Sequence, residues 1–359
     1  MATLPEAAIK IIKDIKERRL KPIYFLMGEE PYFIDRIASF LEDNVLDEAD
    51  RSFNQGIHYG SDIDVPRLIS EAKRYPMMAE HQLVMVKEAQ LIKYLTGKEK
   101  KDKEGKVKEE EAKDPLLVYC EAPLPSTILV ICFKGKTLDK RKALYKAIEK
   151  NGVVFNSEQI KDWNLSKWVK DYVKEKGFRI TEKAAIVLTD YLGNDLAKIE
   201  NEVNKLAISL PVNAEIDELI IERNIGISKD YNVFELMKAI SKQDVLKTNQ
   251  IINYFSKNQK EHPVVLTIGM LYTYFSKLLE IHFHRVKGLN SSSIASQMGI
   301  SPFVFNEYEE AANRYSYAKL VKNLASLREL DVKSKGVGSG EIPLEDLYKE
   351  FIYKVVHTR

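Results

Sequence analysis

Four apolar runs that carry no charge, separated by residues at helical spacing, span the first 155 residues and narrow the fold more than any other feature of the chain. They are Pro22-Ile23-Tyr24-Phe25-Leu26-Met27, Gln82-Leu83-Val84-Met85-Val86, Thr127-Ile128-Leu129-Val130-Ile131-Cys132-Phe133 and Val153-Val154-Phe155. A strand with one wet face alternates apolar and polar side chains. These runs are continuous, so each strand is expected to be covered on both faces. Helical spacing fills Tyr32 to Asn44 and Val65 to Arg74, with Leu68, Ile69 and Ala72 on one side of the second. Strand and helix in alternation predict βαβ units around a mostly parallel sheet, an α/β domain over residues 1–160.

From about Lys161 the strand signals stop and helical spacing runs to the end of the chain. Leu165, Trp168, Val169, Tyr172 and Val173 follow the i, i+3, i+4, i+7, i+8 pattern, and Leu196, Ile199, Val203 and Leu206 approximate it, so both stripes are expected in a core. A second helical set begins near Asn232-Val233-Phe234 and continues through Val264 to Val286, Tyr317 to Leu330 and Leu344 to Val356. Turns or linkers are expected at Gly226, at Gly288-Leu289-Asn290-Ser291 and at Gly336 to Gly340. A chain of 359 residues exceeds one ordinary core, and three domains are expected, at 1–160, 161–228 and 229–359. One stretch departs from this plan. Of the 16 residues from Lys98 to Lys113, 13 are charged with both signs mixed, which reads either as a solvated insertion or as an interaction arm.

Composition excludes more than it selects. With 45% apolar and 30% charged residues the chain has the material for packed domains. No run approaches the ~18–20 uncharged apolar residues needed to cross a bilayer, and Glu6 and Asp14 interrupt the apolar pattern of the first residues. The expectation is a chain neither exported nor membrane-spanning, acting in the cytoplasm with Cys120 and Cys132 as buried thiols. A net charge of +2 offers no global field for gripping nucleic acid. No GxSxG, HExxH, CxxC or EF-hand pattern occurs, and His282 and His284 lie ~200° apart around a helix, too far to share a metal. No metal, cofactor or catalytic residue is expected.

The first strand ends in Gly28 and runs directly into a helix, the place where a phosphate-binding loop belongs. The residues for it are wrong. Reading GxxxxGK[ST] from Gly28 puts Phe33 at the second glycine, Ile34 at the lysine and Asp35 at the magnesium-binding hydroxyl. Glu29 and Glu30 would repel a triphosphate while suiting the positive end of the helix dipole. The strand Leu83 to Val86 continues into Lys87-Glu88, which puts a cation where the metal ligand of an active ATPase would stand. Two readings remain at this point: an α/β layer that never had a nucleotide site, or a degenerate relative of a P-loop ATPase.

Taken in order, PIYFLMGEEPYFIDR, YPMMAEHQLVMVKEA, LVICFKGKTLDKRKALYKAI, YLGNDLAKIENEVNKLAI, NVFELMKAI and ISPFVFNEYEEAANRYS resemble the delta subunit of the bacterial DNA polymerase III clamp loader over nearly the whole chain. The charged insertion departs from that pattern. The resemblance implies an AAA+-like first domain without nucleotide chemistry, a small helical lid and a helical collar that joins a circular pentamer. It implies a non-catalytic subunit of the DNA-directed DNA polymerase holoenzyme, a nucleotidyltransferase. The implied partners are the sliding clamp (beta), the ATPase subunits (gamma/tau) and the delta-prime subunit, with primer-template DNA met through the complex. It also implies that a hydrophobic pair on the first domain wedges into the clamp and favours its open form. The matching positions are Met77 and Met78, led in by Tyr75 and Pro76. They fall between a helix and a strand, and flexible, polarizable methionines suit an apolar groove, at ~1.5–3 kcal/mol each on burial. The bland alternative is that the pair belongs to the core.

Other clusters have plainer readings. Lys134, Lys136, Lys140, Arg141 and Lys142 form a basic group that would meet phosphate or a subunit, or simply face solvent. The glycines at 336–340 follow a helix and read as a connector rather than a phosphate nest. Packing is the expected role of Tyr272, Tyr274, Phe275 and Phe283. The competing functions are an active AAA+ ATPase or helicase loader and a helical DNA-binding adaptor.

Overall fold

Parallel strands leave no face for water, and the central run of this chain is built accordingly. In the computed structural model the residues described are 3–93, 95, 114–211, 213–225, 231–260, 262–300, 302–338, 340 and 342–357. The charged segment from Lys98 to Lys113 and the expected break at Gly226 lie outside them. The chain parts into two compact units, Met1–Ile160 and Lys161–Arg359.

In the first unit the elements run α1 (Glu6–Lys16), β1 (Ile23–Gly28), α2 (Pro31–Asn44), α3 (Glu48–Asn54), β2 (Gln55–Tyr59), α4 (Val65–Ala72), β3 (Gln82–Lys87), α5 (Pro115–Glu121), β4 (Thr127–Lys134), α6 (Ala143–Asn151) and β5 (Val153–Ser157). The sheet order is β2-β3-β4-β1-β5 and every pairing is parallel, with Phe25 opposite Ile131 on one side and Val154 on the other. All six residues of β1 are buried, as the unbroken apolar run requires. On one face Ile23, Phe25, Met27, Val84, Val86, Leu129 and Ile131 pack with Leu68, Ile69, Ala72, Leu116, Leu144 and Ile148 from α4, α5 and α6. The layer is a five-stranded parallel α/β sheet.

Start signals written in the sequence place these helices. Asp64 and Asp114 accept from the backbone N–H of Arg67 and Leu116, each with proline in the first turn. β2 was not anticipated. Its residues Gln55-Gly56-Ile57-His58-Tyr59 lack an apolar run because it is an edge strand and only partly covered.

The second unit comprises α7 (Asp162–Glu175), β6 (Arg179–Ile180), α8 (Glu182–Leu192), α9 (Leu196–Ser209), β7 (Glu215–Ile216), α10 (Glu218–Ile225), α11 (Val233–Ser241), α12 (Val245–Lys257), α13 (Val264–Val286), α14 (Ser291–Met298), α15 (Pro302–Arg314), α16 (Tyr317–Ser334) and α17 (Leu344–His357). The expectation of no strands beyond Lys161 needs correction: β6 and β7 pair in parallel, two residues each, through Arg179 with Glu215 and Ile180 with Ile216. Two residues are too few to leave a periodic signal. Leu165, Trp168, Val169, Tyr172 and Val173 are buried, as are Leu196, Ile199, Val203 and Leu206. Further along, one core gathers Leu236, Ile240, Ile251, Phe255, Leu271, Phe275, Leu278, Tyr315, Leu327, Tyr348 and Phe351.

Helix α13 is, among the described residues, long and apolar enough to cross a membrane by length and composition. Lys277 and Glu280 interrupt its apolar run, and Thr267, Ile268, Leu271, Tyr274, Phe275, Leu278 and Ile281 are buried in the core of the unit. The aromatic stripe divides there. Tyr274 and Phe275 pack inside, but Tyr272 and Phe283 are exposed, each two positions, or ~200° around the helix, from a buried residue, Tyr274 and Ile281.

Candidate functional site

The corner after β1 is filled by the chain's own groups. Gly28 has φ +129°, and a Cβ there would meet the Ser157 carbonyl oxygen at 2.1 Å, so the glycine is required by backbone contact rather than by a ligand. Glu29 N–H donates to the Ser157 carbonyl at 2.8 Å, Glu30 N–H to the same oxygen at 3.4 Å, and Ser157 Oγ–H donates to the Glu30 carbonyl at 2.7 Å. The amides that would surround a phosphate are thus turned onto β5. Glu30 is 4% exposed, and its carboxylate accepts from Tyr32 N–H at 3.1 Å at the start of α2. A side-chain anion already occupies the positive end of that helix dipole.

Side chains complete the closure. Phe33 and Ile34 point into the core, 2% and 0% exposed, so neither position can present a cation to solvent. Asp35 accepts from Lys134 Nζ at 2.7 Å. At the end of β3, Lys87 Nζ donates to Glu42 at 2.8 Å, and this hydrogen bond holds the ammonium above its usual pKa. Glu88 follows in the left-handed region, φ 56°, with its carbonyl against Gly60. Asp35 and Lys87, at two positions of a magnesium nucleotide site, are therefore each held in a separate ion pair, with Lys134 and with Glu42. Among the described residues no three His, Cys, Asp or Glu side chains converge as a cation site.

A second site lies on the loop between α4 and β3. Tyr75, Met77 and Met78 are 77%, 56% and 104% exposed, and Pro76 is partly covered. Met78 has φ 55°, an uncommon conformation for a side chain of that size. Gln82 closes the neck of the loop by donating through Nε2 to the carbonyls of Glu71 and Arg74 and to Thr127 Oγ1. At the tip, Asn54 Oδ1 accepts from Met77 N–H at 2.6 Å and Asn54 Nδ2 donates to the Met77 carbonyl at 3.0 Å. Neither Asn54 nor Gln82 stands out in the sequence, since each acts on backbone and leaves no motif.

The remaining clusters are structural in their local contacts. Arg141 pairs with Asp139 and Lys134 with Asp35, leaving Lys136, Lys140 and Lys142 as exposed charges after β4. His282 Nε2 lies 2.8 Å from the Tyr315 carbonyl and His284 3.6 Å from Glu280. Cys120 and Cys132 are free and buried, and burial pushes both thiols up to about 12. Gly336, Gly338 and Gly340 all have positive φ, beginning two residues after α16 ends.

The chain is thus a parallel α/β layer whose phosphate corner is occupied by its own carboxylate, followed by a largely helical unit. A family model described as DNA polymerase III, delta subunit, matches residues 24–158, and one described as DNA polymerase III delta subunit, C-terminal domain, matches 230–351. The DNA polymerase III subunit delta of Bacillus subtilis (strain 168) is 25% identical over 323 residues, 90% of either chain. The solved Bacillus subtilis DNA clamp loader delta protein shares the fold at a TM-score of 0.58 and 24% identity, over 97% of this chain and 99% of that one. The chain belongs to the DNA polymerase III delta-subunit family and is a clamp-loader subunit of DNA replication.

Proposed function

We propose that the chain binds the sliding clamp through Tyr75, Pro76, Met77 and Met78 and favours the clamp's open form, doing so by contact rather than by chemistry of its own. The observation that carries this reading is a pair of exposed methionines held out on an ordered loop of a clamp-loader subunit. Two thioether side chains left in water are a standing cost that an apolar groove on a partner relieves. The filled corner at Gly28 supports the second half of the reading: ATP hydrolysis belongs to the gamma/tau subunits, and this chain takes its place beside them and delta-prime.

In this reading residues 161–228 act as a lid and 229–359 as the collar that joins the ring, in the cytoplasm, with primer-template DNA reached through the assembled holoenzyme. The test is binding of the full chain to immobilised sliding clamp. The variant Met77→Ala with Met78→Ala is expected to lose binding while its circular dichroism is unchanged. An unaltered affinity would remove the pair from the mechanism. Micromolar ATP affinity of the isolated chain would favour an active ATPase instead, and a steep salt dependence of DNA affinity would favour a DNA-binding adaptor.

A further inference from the structure

Asn54 ends α3 and is 4% exposed, so it has almost no surface to offer a partner. Its carboxamide is instead directed at one residue 23 positions away. Oδ1 takes the Met77 N–H and Nδ2 reaches the Met77 carbonyl, the same two groups that a neighbouring strand would pair. Among the described residues, no backbone group from Tyr75 to His81 pairs with another backbone group. Gln82 fixes the neck of the loop, seven residues after Tyr75. Between neck and tip, Asn54 alone among the described hydrogen bonds fixes the backbone that carries the methionines.

An untethered loop samples many conformers, and a partner that selects one of them must bear the cost of ordering it. The two hydrogen bonds of Asn54 meet that cost during folding. The residue type is specific to the task. Aspartate would keep the acceptor for Met77 N–H but set lone pairs against the Met77 carbonyl, and alanine would leave both groups without a partner.

We infer that Asn54 is the positioning residue of the docking loop: it presets the Met77 backbone so that Met77 and Met78 meet an apolar groove on the sliding clamp in one geometry. The inference rests on the docking role proposed above for Met77 and Met78. It adds a residue that acts on the contact without taking part in it.

The experiment compares the full chain with Asn54→Ala, Asn54→Asp and the Met77→Ala, Met78→Ala double variant, by affinity for immobilised clamp and by hydrogen exchange of the Met77 amide in the free protein. Asn54→Ala is expected to weaken clamp binding about tenfold and to speed Met77 amide exchange about tenfold, with the urea midpoint little changed. Asn54→Asp keeps the amide bond, so its exchange stays near the parent's while its affinity falls between the two. Should Asn54→Ala fail to fold, the aspartate variant carries the test. If the methionine variant fails to bind but both Asn54 variants bind within twofold of the parent, the inference is overturned and the docking reading stands. If affinity falls with Met77 exchange unchanged in Asn54→Ala, the loss does not act through the loop and the inference is likewise overturned. If all variants bind as the parent does, the docking reading has failed first.

Discussion

Replacing each methionine of the loop singly should reveal their unequal exposure. A fully buried methionine contributes ~1.5–3 kcal/mol relative to water, in proportion to the area removed. Met78 is 104% exposed in the free chain and Met77 56%, so Met78 has about twice as much surface left to bury on docking. Taking ~2–3 kcal/mol for Met78 and ~1–1.5 for Met77, Met78→Ala should weaken clamp affinity ~30- to 150-fold and Met77→Ala ~5- to 10-fold. The free chain should scarcely notice either change, because an exposed side chain makes little contribution to folding. Met78→Gly separates the two effects further. At φ 55° a side chain costs ~1 kcal/mol that glycine does not, so this variant should fold slightly more stably while binding the clamp as poorly as the alanine variant. The assay is a titration against immobilised clamp beside urea unfolding. Met77→Ala proving more harmful than Met78→Ala, or Met78→Gly binding like the parent, would refute reasoning from exposure.

Three further outcomes follow from other parts of the structure. Gly28→Ala should destabilise the first unit by several kcal/mol, since the added Cβ meets Ser157 backbone at 2.1 Å and parts the bonds from Glu29 and Glu30; hydrogen exchange of β1 as slow as in the parent would contradict this. Hydrogen peroxide should convert Met77 and Met78 to sulfoxides well before the buried Met27 and Met85, abolishing clamp binding, with recovery on treatment with methionine sulfoxide reductases; mass spectrometry of the four sites checks the order. Cys120 and Cys132, held near 12 against an unfolded value of ~8.5, should resist iodoacetamide in the native chain at pH 8. Their raised pKa values make the neutral thiols favour the fold, so stability is full below pH ~8.5 and falls as pH rises towards 12, by up to ~1.4 kcal/mol per unit for each thiol; a urea midpoint that rises between pH 9 and 10.5 would contradict the sign.

Much of this could be read before any coordinates. Ile23–Gly28 and Thr127–Lys134 announce themselves as buried parallel strands because a strand covered on both faces has no polar residue to interrupt it. Gln55–Tyr59 does not, because at the sheet edge half of each residue's environment is solvent and its composition records that. Ile34, Asp35 and Lys87 show from their chemistry alone that a triphosphate loop would lack its cation, its hydroxyl and its metal ligand. The exposure of Met77 and Met78 was open from the sequence, since two methionines between a helix and a strand pack inward or outward with equal ease.

Local chemistry along the chain, then, determined the strands, the capped helices and the absence of a phosphate-binding residue set, because each of those depends on neighbours a few positions apart. Only the tertiary structure decided that Glu30 and Ser157, 127 residues apart, close the corner at Gly28, and that Asn54 grips Met77 across 23 residues. Those contacts join side chains to distant backbone. Backbone is the same at every position, so the sequence holds no mark of which stretch will be met.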